Sequence, residues 1–173
     1  MSEPKPNADD KPELTHKELA KAETLLDAAR RRGVMIATAE SCTGGLIVSK
    51  LTDVEGASEM VDRGFVTYSN EAKQEMLGVR QATLDAHGAV SEEVAAEMAT
   101  GALERSRAGI VVAVTGIAGP GPSEHKPEGR VCFGIADTGG VRTETVEFGA
   151  LGRDGVRAAT VDHALDLLLE ALA

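Results

Sequence analysis

The chain has 173 residues, 42% of them hydrophobic, enough to build one domain of α/β type around a sizeable buried core. Acidic residues outnumber basic ones 28 to 18, and the resulting net charge of −10 repels phosphate backbones, which excludes nucleic acid as an expected partner. With no Trp, one Tyr, two cysteines, no signal peptide and no long apolar segment, the composition argues against stacking platforms, disulfide frameworks and membrane spans, and implies a cytoplasmic protein.

Residues 1–12, rich in Pro, Asn, Asp and Lys, read as a disordered tail, leaving 13–173 as a single domain. Thr15-His16-Lys17-Glu18 has the capping-box pattern, and Leu19, Ala22, Leu25, Leu26 and Ala29 follow at helical spacing up to Gly33. Arg30-Arg31-Arg32 then falls in the last turn, where cations complement the helix dipole. Val34 to Ala37 is an apolar run suited to a buried strand, and Leu46 to Leu51 reads as helix, ending near Asp53 to Gly56. Between them, Thr38-Ala39-Glu40-Ser41-Cys42-Thr43-Gly44-Gly45 forms a strand-to-helix turn. Such a turn offers unpaired backbone N–H groups at the positive end of a helix, and two glycines admit a ligand close to the backbone. Ser41 is there either a nucleophile beside its own oxyanion hole or, like Thr43, a helix cap. Cys42 is a rival nucleophile with no histidine in the motif, and a packing role is expected for it and for Cys132.

Val61 to Tyr68 reads as a second strand, with Gly64 marking a bulge or a close backbone approach. Ser69-Asn70 supplies N-cap residues for a short helix, Glu71 to Leu77, stopped by Gly78. With Tyr68 at a strand end and Lys73 one turn into the helix, both can reach one pocket. Thr83 to Gly88 looks like a single helical turn, and Ser91 opens a helix running to about Ser106. Ile110 to Val114 is a continuous β-branched run, the clearest buried strand, and leads into the glycine- and proline-rich loop Thr115 to Ser123. Arg130 to Ala136 and Val141 to Phe148 form a hairpin, and the last helix runs from about Asp154 to Leu172.

Alternation of helices and strands followed by a hairpin implies a three-layer α/β/α fold: a mixed, mostly parallel sheet with helices on both faces. Ligands of such sheets collect at the carboxyl ends of strands, where Ser41 to Gly45, Tyr68 to Lys73 and Thr115 to Gly121 all fall. Each glycine-rich turn alone could equally be a chain reversal. His16, His87, His125 and His163 are scattered, so no metal site is expected. The base available to Ser41 is therefore Lys73, which needs partial desolvation to lower its pKa; the bland alternative is a solvated helix lysine. The Tyr68 hydroxyl could relay the proton or orient the ammonium.

Ala39 to Gly45, Tyr68-Ser69-Asn70 with Lys73, Thr115 to Gly121, and Lys126-Pro127, in this order, resemble the CinA C-terminal-domain family, in its stand-alone form. Its enzymatic members are nicotinamide-nucleotide amidases. The resemblance implies hydrolysis of a small nucleotide substrate, nicotinamide mononucleotide, to nicotinate mononucleotide and ammonia, without metal or organic cofactor. It matches Ser41 to the nucleophile, Lys73 to the general base and Tyr68 to the third member of the set. Cys42, Thr43, Gly44 and Gly45 match the turn beside the nucleophile, and helix-terminus physics assigns them oxyanion stabilisation. Asn70, Thr115, Gly116, Gly119 and Gly121 are expected to line the nucleotide pocket. The chain departs from the family pattern at Pro122-Ser123-Glu124-His125 and at Glu128, where added acidity near a phosphate site would alter substrate range or affinity. A non-catalytic nucleotide-binding module and a Ser/Lys amidase for another amide are the competing readings, and a homo-oligomer is expected.

Overall fold

A computed structural model describes residues 13–173; the expected tail, 1–12, lies outside the described residues. The elements in chain order are α1 (Glu13–Arg32), β1 (Ile36–Glu40), α2 (Leu46–Thr52), a 3-10 turn (Ala57–Glu59), β2 (Val61–Val66), α3 (Asn70–Leu77), α4 (Gln81–His87), α5 (Glu92–Glu104), β3 (Ile110–Gly116), β4 (Arg130–Asp137), β5 (Gly140–Glu147) and α6 (Gly152–Leu172). Helix α1 thus begins ahead of Thr15, inside which position the capping-box pattern had placed the helix start.

One sheet has the order β2-β1-β3-β4-β5. Strand β1 pairs in parallel with β2 and β3, while β4 is antiparallel to both β3 and β5, so β4 alone runs against the others. This is the mixed, mostly parallel sheet expected from the alternation. Strand β3 shows how the layers form. Its Ile110, Val112 and Val114 face a core shared with α1 and α6, and its Val111 and Ala113 face a second core under α5. A strand buried on both faces has no polar alternation, which is why its sequence is one apolar run. Helix α3 and α4 pack on α5, completing three layers.

Strand β1 lies two residues further along than the apolar run suggested. Its carboxyl half carries Thr38 and Glu40, both fully buried, and the Thr38 hydroxyl donates to Glu40 at 3.0 Å. Polar residues that satisfy each other can occupy a buried strand, and an apolar pattern does not register them. In β2 the register shift falls at Asp62, between Ile36↔Val61 and Ala37↔Arg63. Gly64 is instead a close approach: a Cβ there would stand 2.9 Å from both Thr38 Oγ1 and Val48 Cγ1.

Helix α5 lies against α3 through Gly101, where a Cβ would sit 1.9 Å from the Leu77 carbonyl oxygen. Gly101→Ala is expected to destabilise the protein by about 1–3 kcal/mol despite Ala's better helix propensity, because neither backbone can yield cheaply. Urea unfolding checks this, and an unchanged midpoint would show that the two helices separate freely.

Candidate active site

The carboxyl ends of β1, β2 and β3 meet at the point where strand order reverses, β2 lying on one side of β1 and β3 on the other. Pairing continues past the strands: Ser41 N donates to Val114 O at 3.1 Å, and Thr67 N donates to Glu40 O at 2.9 Å. These two bonds fix Ser41 and the Thr67-Tyr68 peptide side by side. Helix α3 then starts at Ser69, whose hydroxyl accepts from Ala72 N at 3.0 Å, and brings Lys73 back over the strand ends.

Lys73 is 1% exposed, so the solvated-lysine alternative is excluded. Its Nζ donates to Ser41 Oγ at 2.9 Å, to Thr67 O at 2.9 Å and to Tyr68 O at 3.2 Å. Burial lowers its pKa from the ordinary value of 10.5, against an opposing pull from the negative charge of Glu124. Three acceptors match the three N–H groups of an ammonium. After loss of one proton, the two backbone carbonyls still hold two N–H groups, and the lone pair is left facing Ser41 Oγ. Cys42 is buried, and burial pushes its thiol up to about 12, which leaves no thiolate to compete as nucleophile.

The turn after Ser41 is organised by Glu40, a residue to which sequence reasoning gave no role. Its carboxylate accepts from Thr38 Oγ1 at 3.0 Å, Thr43 Oγ1 at 2.6 Å, Ile47 N at 2.9 Å and Val48 N at 3.1 Å. Leu46 N and Ser49 N donate to Thr43 O and Gly45 O. The first N–H groups of α2 are therefore spent within the protein, and the expected anion site at this helix terminus is already filled by Glu40. Neither Ser41 nor Thr43 caps α2 with its side chain in the usual way: the N-cap position is Gly45, at φ 101°, with no side-chain cap.

Ser41, Cys42, Tyr68, Asn70, Lys73, Thr115 and Gly116 line one cavity of about 230 Å³, together with Ile117, Ala118, Ser123, Glu124 and Arg153. Thr43, Gly44, Gly45, Gly119 and Gly121 are not in its wall. Gly119 acts through its carbonyl, which accepts from Arg153 Nη1 at 2.8 Å. The Thr115 hydroxyl donates to Ala89 O at 2.9 Å, pinning the segment between α4 and α5. Tyr68 contributes its carbonyl to Lys73, whereas its exposed ring carries the hydroxyl to Arg153 Nη2 at 2.9 Å. The hydroxyl is thus at the mouth of the cavity, away from the lysine it was expected to orient. Arg153, and Arg157 one turn on, come from α6; Arg157 donates to Cys42 O at 3.2 Å and Thr43 O at 3.3 Å. Nothing local in the sequence connects these arginines to Ser41. Among the described residues no group of His, Cys, Asp and Glu could hold a metal ion, and no helix is long and apolar enough to cross a membrane.

Fold and site together define a three-layer α/β/α protein with a buried serine–lysine pair at its topological switch point. The chain belongs to the CinA C-terminal domain family, whose pattern it matches over residues 18–172. Nicotinamide-nucleotide amidohydrolase PncC of Escherichia coli (strain K12) is 48% identical over 157 residues, which make up 90% of this chain and 95% of that protein. A CinA-like protein of Chlorobium phaeobacteroides (strain BS1) is 58% identical over 122 residues, 68% of this chain and 29% of that protein. The crystal structure of competence/damage inducible protein CihA from Agrobacterium tumefaciens matches with a TM-score of 0.85 at 49% identity, over 90% of this chain and 94% of that one. That of a competence or damage-inducible protein from Enterobacter asburiae matches with a TM-score of 0.87 at 35% identity, over 90% and 98%.

Glu40→Ala would strand the Ile47 and Val48 N–H groups and two threonine hydroxyls in a buried site. A loss of about 2–4 kcal/mol in unfolding free energy is expected in chemical denaturation. A loss below about 0.5 kcal/mol, the level of an ordinary surface substitution, would show that water takes over these partners.

Proposed function

We propose that this chain hydrolyses the carboxamide of nicotinamide mononucleotide to nicotinate mononucleotide and ammonia, with Ser41 as nucleophile and Lys73 as general base. The observation that carries the reading is the 2.9 Å contact between Ser41 Oγ and the amine of a lysine that is 1% exposed. The substrate rests on the likeness to the Escherichia coli enzyme along most of both chains.

In this mechanism the neutral Lys73 amine takes the Ser41 proton as Oγ attacks the carboxamide carbon. The backbone N–H of Cys42, the first after the nucleophile and in the cavity wall, is the donor offered to the developing oxyanion. Lys73 passes its proton to the departing nitrogen, ammonia leaves, and an ester remains on Ser41. Water, deprotonated by Lys73, then attacks the ester, and the collapse returns that proton to Ser41 and releases the carboxylic acid, which gives its own proton to solvent. Thr67 and Tyr68 hold the amine in register through both half-reactions by their carbonyls. Arg153 supplies a cation at the cavity mouth for the substrate phosphate, and its contacts to Gly119 O and the Tyr68 hydroxyl keep it there.

Ammonia release from nicotinamide mononucleotide, with the product identified by chromatography, tests this. Ser41→Ala and Lys73→Met are each expected to lower kcat by at least about a thousandfold while leaving the folded protein intact. Turnover by Ser41→Ala close to wild type would remove Ser41 from the reaction.

The pH profile adds a sign. A base with a lowered pKa must lose its proton to work, so kcat/KM should rise with pH and level off once Lys73 is neutral, below the ordinary lysine value of 10.5. A flat profile on the acid side would assign the base to another group.

A further inference from the structure

The loop after β3 does more than close the cavity. Glu124 and His125 both take left-handed backbone conformations, φ 52° and 63°, between Ser123 and Lys126. Ser123 N donates to Lys126 O at 3.0 Å and Lys126 N to Ser123 O at 2.8 Å. Two successive left-handed residues between exchanged backbone bonds are what a type I′ turn demands, and neither is a glycine. The turn is moored from outside by Lys126, whose Nζ donates to His87 O at 2.8 Å and Val90 O at 2.6 Å. This geometry sets Glu124 in the wall of the cavity that holds Ser41 and Lys73.

Glu124 forms no ion pair among the described residues. Lys126 is turned to the carbonyls of His87 and Val90, and Arg153 to Gly119 and the Tyr68 hydroxyl. Its charge is nevertheless felt at Lys73, where it opposes the effect of burial. Glu124 Oε2 and Lys126 Nζ each stand 3.0 Å from where a Gly88 Cβ would be, so Lys126 screens the carboxylate without pairing with it. Once Lys73 is neutral, as a base must be, Glu124 still lacks an ion-pair partner among the described residues. A ligand that brings one positive charge into the cavity would supply it.

We propose that Glu124 is a specificity-determining residue that selects a positively charged N-substituted pyridinium ring over an uncharged one, by pairing its carboxylate with the ring charge. The proposal rests on the amidase reading for its substrate, and deepens it. A nicotinamide ring carries a full positive charge when ribose is attached at its nitrogen. Free nicotinamide and the 1,4-dihydro ring of the reduced nucleotide do not. The cavity then sorts substrates by charge: Glu124 reads the ring and Arg153, at the mouth, reads the phosphate. At a partly solvated site such a pair is worth about a tenfold difference in affinity.

The test compares binding by Ser41→Ala protein, which turnover does not confound, at one pH above the Lys73 midpoint, so that the lysine is neutral with and without the Glu124 charge. Ser41→Ala protein, with and without Glu124→Gln, is titrated calorimetrically with nicotinamide mononucleotide and with its reduced form, which has the same phosphate and ribose and an uncharged ring. The expected result is that Glu124→Gln weakens binding of the oxidised nucleotide at least about fivefold and changes binding of the reduced one by less than about twofold. Unchanged binding of the oxidised nucleotide, an equal loss for both, or binding of neither by the parent protein overturns the proposal. The reduced ligand also reports folding, since a misfolded variant would lose both. Failure of the amidase reading shows elsewhere, as absence of ammonia release by the unmodified enzyme, while charge selection is still read from the titrations.

Discussion

The contact on which the site depends is that between Lys73 and Ser41. Placing an ammonium at 1% exposure is costly in a low dielectric, and the cost falls only if every N–H is matched. Ser41 Oγ and the carbonyls of Thr67 and Tyr68 provide that match. It is imperfect, because dipoles replace the counter-ion that a buried charge would need, and burial prevails over them in lowering the pKa. The remaining instability of the charged form is what suits this lysine to accept a proton. Much of the surrounding structure follows as the means of holding three acceptors in place: the β1–β3 pairing extended to Ser41, the β1–β2 pairing extended to Thr67, and the α3 cap at Ser69.

Glu40 shows a second constraint. A strand-to-helix turn must satisfy the first N–H groups of the helix, and a free terminus would draw an anion towards the flank of Ser41. Here a buried carboxylate from the strand itself takes two of them and two threonine hydroxyls besides. For the proposed chemistry the consequence is that an oxyanion donor would have to come from the turn between strand and helix, where Cys42 borders the cavity, because the first N–H groups of the helix are already taken. Gly64 belongs to the same arrangement, since a side chain there would push α2 and Thr38 away from β2.

The three-layer fold was legible because its signals are local. Strand β3 announces itself as an apolar run, α3 by its Ser69 cap, and the hairpin by Asp137 to Gly140. Ser41, Lys73 and Tyr68 were legible as neighbours because each sits at the end of a readable strand or in the first turn after one. The residues alone left a capping serine and a solvated lysine open, and only the family resemblance joined the three as a set. What escaped was set by side-chain direction and by distant chain. Glu40 looks like a charged residue ending a strand, and its four donors are visible only once Thr38, Thr43 and α2 surround it. Arg153 lies 85 residues from Tyr68, yet the two are hydrogen-bonded. The role expected of the Tyr68 hydroxyl falls instead to its carbonyl, a distinction no residue-type argument can make. The glycines at 119 and 121 were read as a nest facing the ligand, but the chain turns them out of the cavity wall and sends Ser123 and Glu124 in.

The proposed chemistry turns on the protonation of one amine, so the most direct measurement is the titration of the Lys73 side chain itself, followed by the Cε chemical shift in protein carrying carbon-13 lysine, with Lys73→Met supplying the assignment. A midpoint below 10.5, moving further down when the Glu124 charge is removed, is the result predicted here. A midpoint at or above 10.5 would mean that hydrogen bonding to the ammonium outweighs burial, and that Lys73 orients Ser41 without serving as its base.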